Sequence, residues 1–167
     1  METPDTFSRT FLPAAAVARI PLATVNRHVN VLRRCAGDRD TVTLVGACFR
    51  AEQPQWRGRR PNNLLMLTRH RLVVTTESPV LHRLRLYLNA ELHHLADVTL
   101  TPEPDQHVAR LALTAIDGVR EHFCIRLADA AQVCVLDAAF QAAFRTAWRP
   151  STSPATGAAK VDLRLAA

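Results

Sequence analysis

At 167 residues the chain is long enough to bury a core without disulfide staples or metals, and its hydrophobic fraction of 48% is that of an ordinary globular protein. No uninterrupted apolar run approaches the roughly 18 residues of a membrane span, and Glu2 and Asp5 stand where a secretory signal carries positive charge. The net charge is +6, but 20 of the 21 basic residues are arginine, a skew that GC-rich coding explains, so basicity alone does not point to nucleic acid.

Where the charge lies is more informative. Residues 50–71 hold six arginines (50, 57, 59, 60, 69 and 71) against one acid, Glu52, a local charge of +5. Such a patch draws anions whatever the global average. The four cysteines, Cys35, Cys48, Cys124 and Cys134, form no CxxC pair and no zinc spacing. Reduced thiols in a cytoplasmic protein are the expectation.

In chain order, residues 1–12 read as a loose tail. Residues 21–36 read as a helix: Pro21 suits its first turn, Leu22, Val25, Val29 and Leu32 form an apolar stripe, and Gly37 stops it. Arg27, His28, Arg33 and Arg34 fall on the other face, which reads as solvated while the stripe packs on a core. From 41 to 127 the pattern is β. Strands are expected over 41–51, 64–68, 72–77, 84–88, 98–101, 108–115 and 119–127. A loop over 53–62 carries two prolines and the cluster Trp56-Arg57-Gly58-Arg59-Arg60. Asp117-Gly118 between two strands predicts a type I′ hairpin turn. The period then changes: Val133, Leu136, Phe140, Phe144 and Ala147 keep helical spacing, with Asp129 as cap and Gln132 at the reciprocal capping-box position. Residues 150–167 read as a linker-like tail, in which the alternation of Val161, Leu163 and Leu165 leaves open a short added strand or a mobile end.

The order is helix, about seven short strands, helix, which argues an antiparallel sandwich or small barrel capped by the terminal helix. It resembles a pleckstrin-homology-like (PH-like) domain, in particular the GRAM-like and bacterial branch, over residues 40–149. Four stretches carry the resemblance. LLMLTRHRLVV (64–74) is similar to that family's second and third strands, and ELHHLADVTL (91–100) to the approach to its fifth. LALTAIDGVREHFCIRL (111–127) is similar to its sixth and seventh strands, and residues 129–149, with Trp148, to its capping helix. The implied fold is mainly β, a partly open barrel of about seven antiparallel strands capped by a C-terminal helix. The domain division is 1–39 for the N-terminal tail and helix, 40–149 for the PH-like domain and 150–167 for the tail. The N-terminal helix lies outside the usual domain.

The resemblance implies a non-enzymatic module without a cofactor that binds proteins or acidic lipids. The leading expectation is an adaptor acting through protein interaction or self-association, with weak attachment to acidic membrane. The alternative is a phosphoinositide or anionic-lipid targeting module at the inner face of a membrane. Its ligand-binding residues are expected to be Trp56, Arg57, Arg59 and Arg60, with Arg69 and Arg71 nearby. Arginine suits phosphate because its planar fork donates to two oxygens at once. The family's first-strand lysine is missing: that strand offers only Arg50. No serine sits in a GxSxG context and no Cys–His signature occurs, so no catalytic residue is expected. No metal site is expected either, because His93 and His94, adjacent in an extended segment, point to opposite faces. One tyrosine, two tryptophans and no aromatic RNP-like motif argue against nucleic acid.

Overall fold

A computed structural model of the chain describes residues 5–37, 39–50, 63–78, 80–81 and 83–147. Among these residues three α-helices, α1 (Thr6–Val17), α2 (Leu22–Ala36) and α3 (Ala130–Ala147), accompany seven strands. The strands are β1 (Val42–Arg50), β2 (Asn63–Thr68), β3 (Arg71–Glu77), β4 (Leu84–Glu91), β5 (Ala96–Glu103), β6 (Val108–Thr114) and β7 (Arg120–Arg126). All pair antiparallel in one sheet of order β4-β3-β2-β1-β7-β6-β5. The sheet does not close, since β4 and β5 are its two edges. With α3 following β7, this is the PH-like arrangement: seven antiparallel strands and a C-terminal cap.

The sheet curls around a core formed by its inner face and α3. Leu65, Leu67, Leu72 and Val74 meet Leu111, Leu113, Phe123 and Ile125 there, with Val133, Leu136 and Phe140 of α3. Asp129 caps α3 as its sequence implies, while the Gln132 side chain reaches one residue past the expected cap N–H. Asp129 Oδ1 accepts from the Gln132 backbone N–H at 2.9 Å, and Gln132 Oε1 accepts from the Ala128 N–H at 3.1 Å.

A second core lies on the outer face of the first half of the sheet. Phe7, Phe11, Ala15, Val25 and Leu32 pack there against Val42, Val45, Leu64, Met66 and Val73. Strands β2 and β3 are therefore buried on both faces. Alternate residues serve opposite cores, which is why the run NLLMLT shows no polar alternation.

Three expectations are corrected here. Residues 6–12 are no loose tail: α1 begins at Thr6, and Asp5 caps it by accepting from the Ser8 N–H at 3.1 Å; residues 1–4 lie outside the described residues. Hydrogen bonds from Ser8, aided by Arg33, hold the Asp5 carboxyl below its ordinary range. Pro13 lies inside α1, where proline costs about 3 kcal/mol. Burial of the stacked pair Phe7 and Phe11, with ring centroids 5.0 Å apart, offsets that cost at roughly 2–3 kcal/mol per ring. Second, His28 is not on a solvated face; it is 1% exposed and faces β3. Third, the hairpin at Asp117-Gly118 is not type I′. Only Gly118 has positive φ, at 78°, and its N–H donates to Ala115 O at 2.9 Å.

Candidate functional site

Three side chains from three strands meet at one end of the curled sheet. Tyr87 of β4 donates its hydroxyl to Glu121 of β7, with both carboxylate oxygens 2.8 Å away. Arg50, the last residue of β1, approaches Glu121 at 3.8 Å and lies over the Tyr87 ring, 4.7 Å from its centroid. The same ring packs edge-on against Phe123 at 6.0 Å, which anchors the cluster in the core. Strands β4 and β7 are separated in the sheet order by β3, β2 and β1, so only the curl of the sheet brings these residues together.

This clasp gathers three connections into one rim. The antiparallel registers Cys48↔Asn63, Glu77↔Leu84 and Thr114↔Arg120 place the β1–β2, β3–β4 and β6–β7 connections at this end. The latter two present large apolar side chains to solvent: Val80 is 82% exposed, Leu81 62%, Ile116 78% and Val119 49%. Scattered exposed hydrophobics are normal, but four on two neighbouring connections make a feature. Arg83, Arg85 and Arg120 are exposed beside them. Gly118 supplies the left-handed residue that turns the β6–β7 connection, and Val119 N–H is fixed on Asp117 Oδ1 at 3.0 Å.

Trp56, Arg57, Arg59 and Arg60 lie outside the described residues. The segment that carries them joins Arg50 to Asn63, and both of these ends are at the rim. Arg69 and Arg71 stand at the other end of β2. The six-residue strand separates them from Asn63 by about 17 Å, at about 3.4 Å per residue. Arg69 is exposed. Arg71 donates to Glu91 Oε1 at 2.7 Å and to Asn89 Oδ1 at 3.3 Å, both on β4. The β2–β3 turn itself is held by Thr68, whose Oγ1 accepts from the N–H groups of His70 at 3.2 Å and Arg71 at 2.9 Å. The four apolar rim residues were not foreseen from sequence. Val80 and Leu81 fall between Ser78-Pro79 and His82-Arg83, and Ile116 and Val119 flank Asp117-Gly118, all in turn-rich settings.

A second feature lies along the free edge. Val98, Leu100, Phe140 and Phe144 line a groove of about 650 Å³ between β5 and α3, with Arg120 and Arg145 on its border. At the β4–β5 corner, Glu91, His93 and His94 bring potential ligand atoms within 4.8 Å of one another. The two histidines do not point apart, because they sit on a 3₁₀ turn, Leu92–His94, and not in a strand.

Cys35, Cys48, Cys124 and Cys134 are free thiols. Burial pushes Cys48 far up and raises Cys124 and Cys35 as well. Those three are shifted away from the thiolate that nucleophilic chemistry requires. No helix among the described residues is long and apolar enough to cross a membrane.

No known family profile matches the chain, and no curated protein matches it. Among solved structures it is similar to the PDZ-RhoGEF DH/PH domains, seen in complex with GTP-gamma-S-activated RhoA, at 13% identity and a TM-score of 0.47. That match covers 80% of this chain and 36% of the other. An activated truncation of Vav1 is similar at 11% identity and a TM-score of 0.43, covering 81% and 36%. The Ran-binding domain of Nup2 from Ashbya gossypii is similar at 14% identity and a TM-score of 0.43, covering 65% of this chain and 97% of that domain. The chain thus spans about a third of the exchange-factor chains it matches. The PH-like assignment of the fold stands on the chain's own strand order and capping helix.

Proposed function

We propose that this protein is a non-enzymatic interaction module that attaches reversibly to anionic membrane through its rim. The observation that carries this reading is the placement of Val80, Leu81, Ile116 and Val119, all exposed, at the end from which the segment carrying Trp56, Arg57, Arg59 and Arg60 departs. Apolar tips can enter the headgroup region while arginines meet lipid phosphates, and a tryptophan ring favours the interface itself. Each arginine near an acidic surface contributes roughly 1 kcal/mol, so the three in the segment contribute about 3 kcal/mol. Apolar contact adds about 25 cal/mol for each Å² removed from water. Together these suit reversible attachment and do not need a stereospecific pocket. Arg50, already engaged by Glu121 and Tyr87, holds the segment's origin and is not among the proposed lipid contacts.

Sedimentation with phosphatidylcholine vesicles, with and without phosphatidylserine, tests the reading. Binding should need the anionic lipid and fall as salt rises. It should weaken separately in R57A/R59A/R60A and in V80D/I116D. Binding that neither variant changes rules the rim out.

A second reading is favoured by the β5 edge. Among the described residues no strand neighbours its outer backbone groups, and the apolar groove beside α3 could receive side chains of an extended protein segment added to the sheet. This is the adaptor function, and self-association is one form of it. Light scattering over a concentration series, together with L100D, distinguishes it. Association that L100D abolishes while vesicle binding persists supports the edge, and a monomer that retrieves no partner removes it.

A further inference from the structure

We propose that Glu91, His93 and His94 form a binding site for a divalent transition-metal ion of the zinc class. The site is independent of the rim: it lies at the β4–β5 corner, beside the β2–β3 turn. The local backbone explains why adjacent histidines can cooperate. In a strand they would point 180° apart, but on a 3₁₀ turn successive side chains are about 120° apart and both can face outward. Leu92 and Leu95, 1% and 2% exposed, anchor the turn in the core on either side of the pair. The Leu92 N–H donates to His70 O at 2.8 Å and the Leu95 N–H to Leu92 O at 3.3 Å, so the backbone beneath the ligands is fixed. The imidazole ring centroids are 4.0 Å apart.

The ligand atoms already approach a metal-sized spacing. Two donors on a tetrahedral zinc ion, each about 2.0–2.1 Å from it, lie about 3.3 Å from one another. Glu91 Oε2 and His93 Nε2 are 3.4 Å apart, and all three donor groups fall within 4.8 Å. His94 is exposed, so core packing does not hold its ring away from the other two donors. Two imidazoles and a carboxylate select zinc or its neighbours over magnesium and calcium, which prefer all-oxygen shells. Three protein donors leave the fourth position to water or to a group from another molecule.

Arg71 takes part through the outer shell. It holds Glu91 Oε1 at 2.7 Å, which orients the carboxylate and leaves Oε2 towards His93. Its charge also opposes a cation, so the site belongs with exchangeable metals and not with structural ones.

Calorimetric titration of the tag-free, reduced full chain with zinc chloride tests the proposal. One ion should bind per chain. H93A, H94A and E91Q should each weaken binding at least about tenfold while leaving the circular dichroism spectrum unchanged. C134S removes the exposed thiol as an alternative ligand and should bind zinc as the unmodified chain does. The absence of saturable binding overturns the proposal. So does binding that survives in H93A/H94A, or binding that C134S abolishes.

Discussion

His28 of α2 and Thr75 of β3 form a buried side-chain hydrogen bond across the second core, Nδ1 to Oγ1 at 2.7 Å. The Thr75 hydroxyl donates to the Leu64 carbonyl at 3.3 Å, which leaves Nδ1–H of the neutral ring as the donor to Thr75. Burial lowers the affinity of His28 for a second proton; Glu77 opposes that shift and Arg27 adds to it. The pair therefore ties the N-terminal helices to the sheet in a proton-dependent way. In the unfolded chain the ring titrates near 6.5, and in the fold it titrates lower. As pH falls below that value the unfolded state takes up a proton that the folded state resists, so stability is full above it and declines towards the folded value. Urea midpoints should drop between neutral and mildly acidic pH, and His28→Gln should flatten that drop. Thr75→Val leaves Nδ1–H without its partner and should cost about 1–3 kcal/mol at neutral pH. Equal pH slopes for the parent and His28→Gln would sink this account.

The N-terminal helices were the least legible part of the fold, and the reasons are physical. Helix α2 announced itself through Val25, Val29 and Leu32, but His28 looked polar because spacing alone does not reveal a buried partner such as Thr75. Helix α1 was hidden by Pro13, which reads as a breaker until the two phenylalanines it accompanies are seen to be buried. One signal was present in the sequence. The unalternating run LLML in β2 asked for cover on both faces, and α1 and α2 supply the second. The β core was legible because Leu72, Val74, Phe123 and Ile125 sit in short runs with turn residues between them. At the rim, charge was legible and shape was not: the arginine cluster shows in composition, whereas the placing of Val80 and Ile116 at one end of the sheet depends on the strand registers and on the curl that Tyr87 and Glu121 tie. That shared placement is what shifts the reading from adaptor towards membrane attachment.

Helix α1 should be an integral support of the sheet. Phe11→Ala removes a fully buried ring and should cost about 3–5 kcal/mol in urea unfolding. Deleting residues 1–20 should do more than destabilise: it uncovers Leu64, Met66 and Val73, and the shortened chain should self-associate or precipitate. A shortened chain that remains monomeric with an unchanged midpoint contradicts this role.

Gly46 of β1 lies close against a side chain of β7. A Cβ added there would sit 2.9 Å from Ile125 Cγ2, a branched methyl packed in the core with little room to turn. Gly46→Ala should therefore destabilise by about 1–3 kcal/mol, opposite to the gain usual when a strand glycine acquires a side chain. Ile125→Val keeps that Cγ2 methyl and gives no relief, whereas G46A/I125A should lose less than the sum of the two single changes. Strict additivity in this double-mutant cycle would mean that the contact is not the cause.

The rim depends on the clasp, and Tyr87→Phe separates its hydrogen bond from its packing. The ring keeps its contact with Phe123 and its place beneath Arg50, while the hydroxyl bond to Glu121 is lost. Because the acceptor is a carboxylate, the bond should contribute about 1.5–3 kcal/mol to stability. The larger consequence concerns the loops. Without the bond, β4 is held to β7 less tightly, by ring packing and not by a directional contact, and the tie between the β3–β4 and β6–β7 connections is weakened. Vesicle binding should thus weaken in Tyr87→Phe although no proposed lipid contact has been altered. Tyr87→Leu, which also removes the ring beneath Arg50, should weaken it further. If Tyr87→Phe loses stability but binds vesicles as the parent does, the rim works loop by loop and the clasp is only structural.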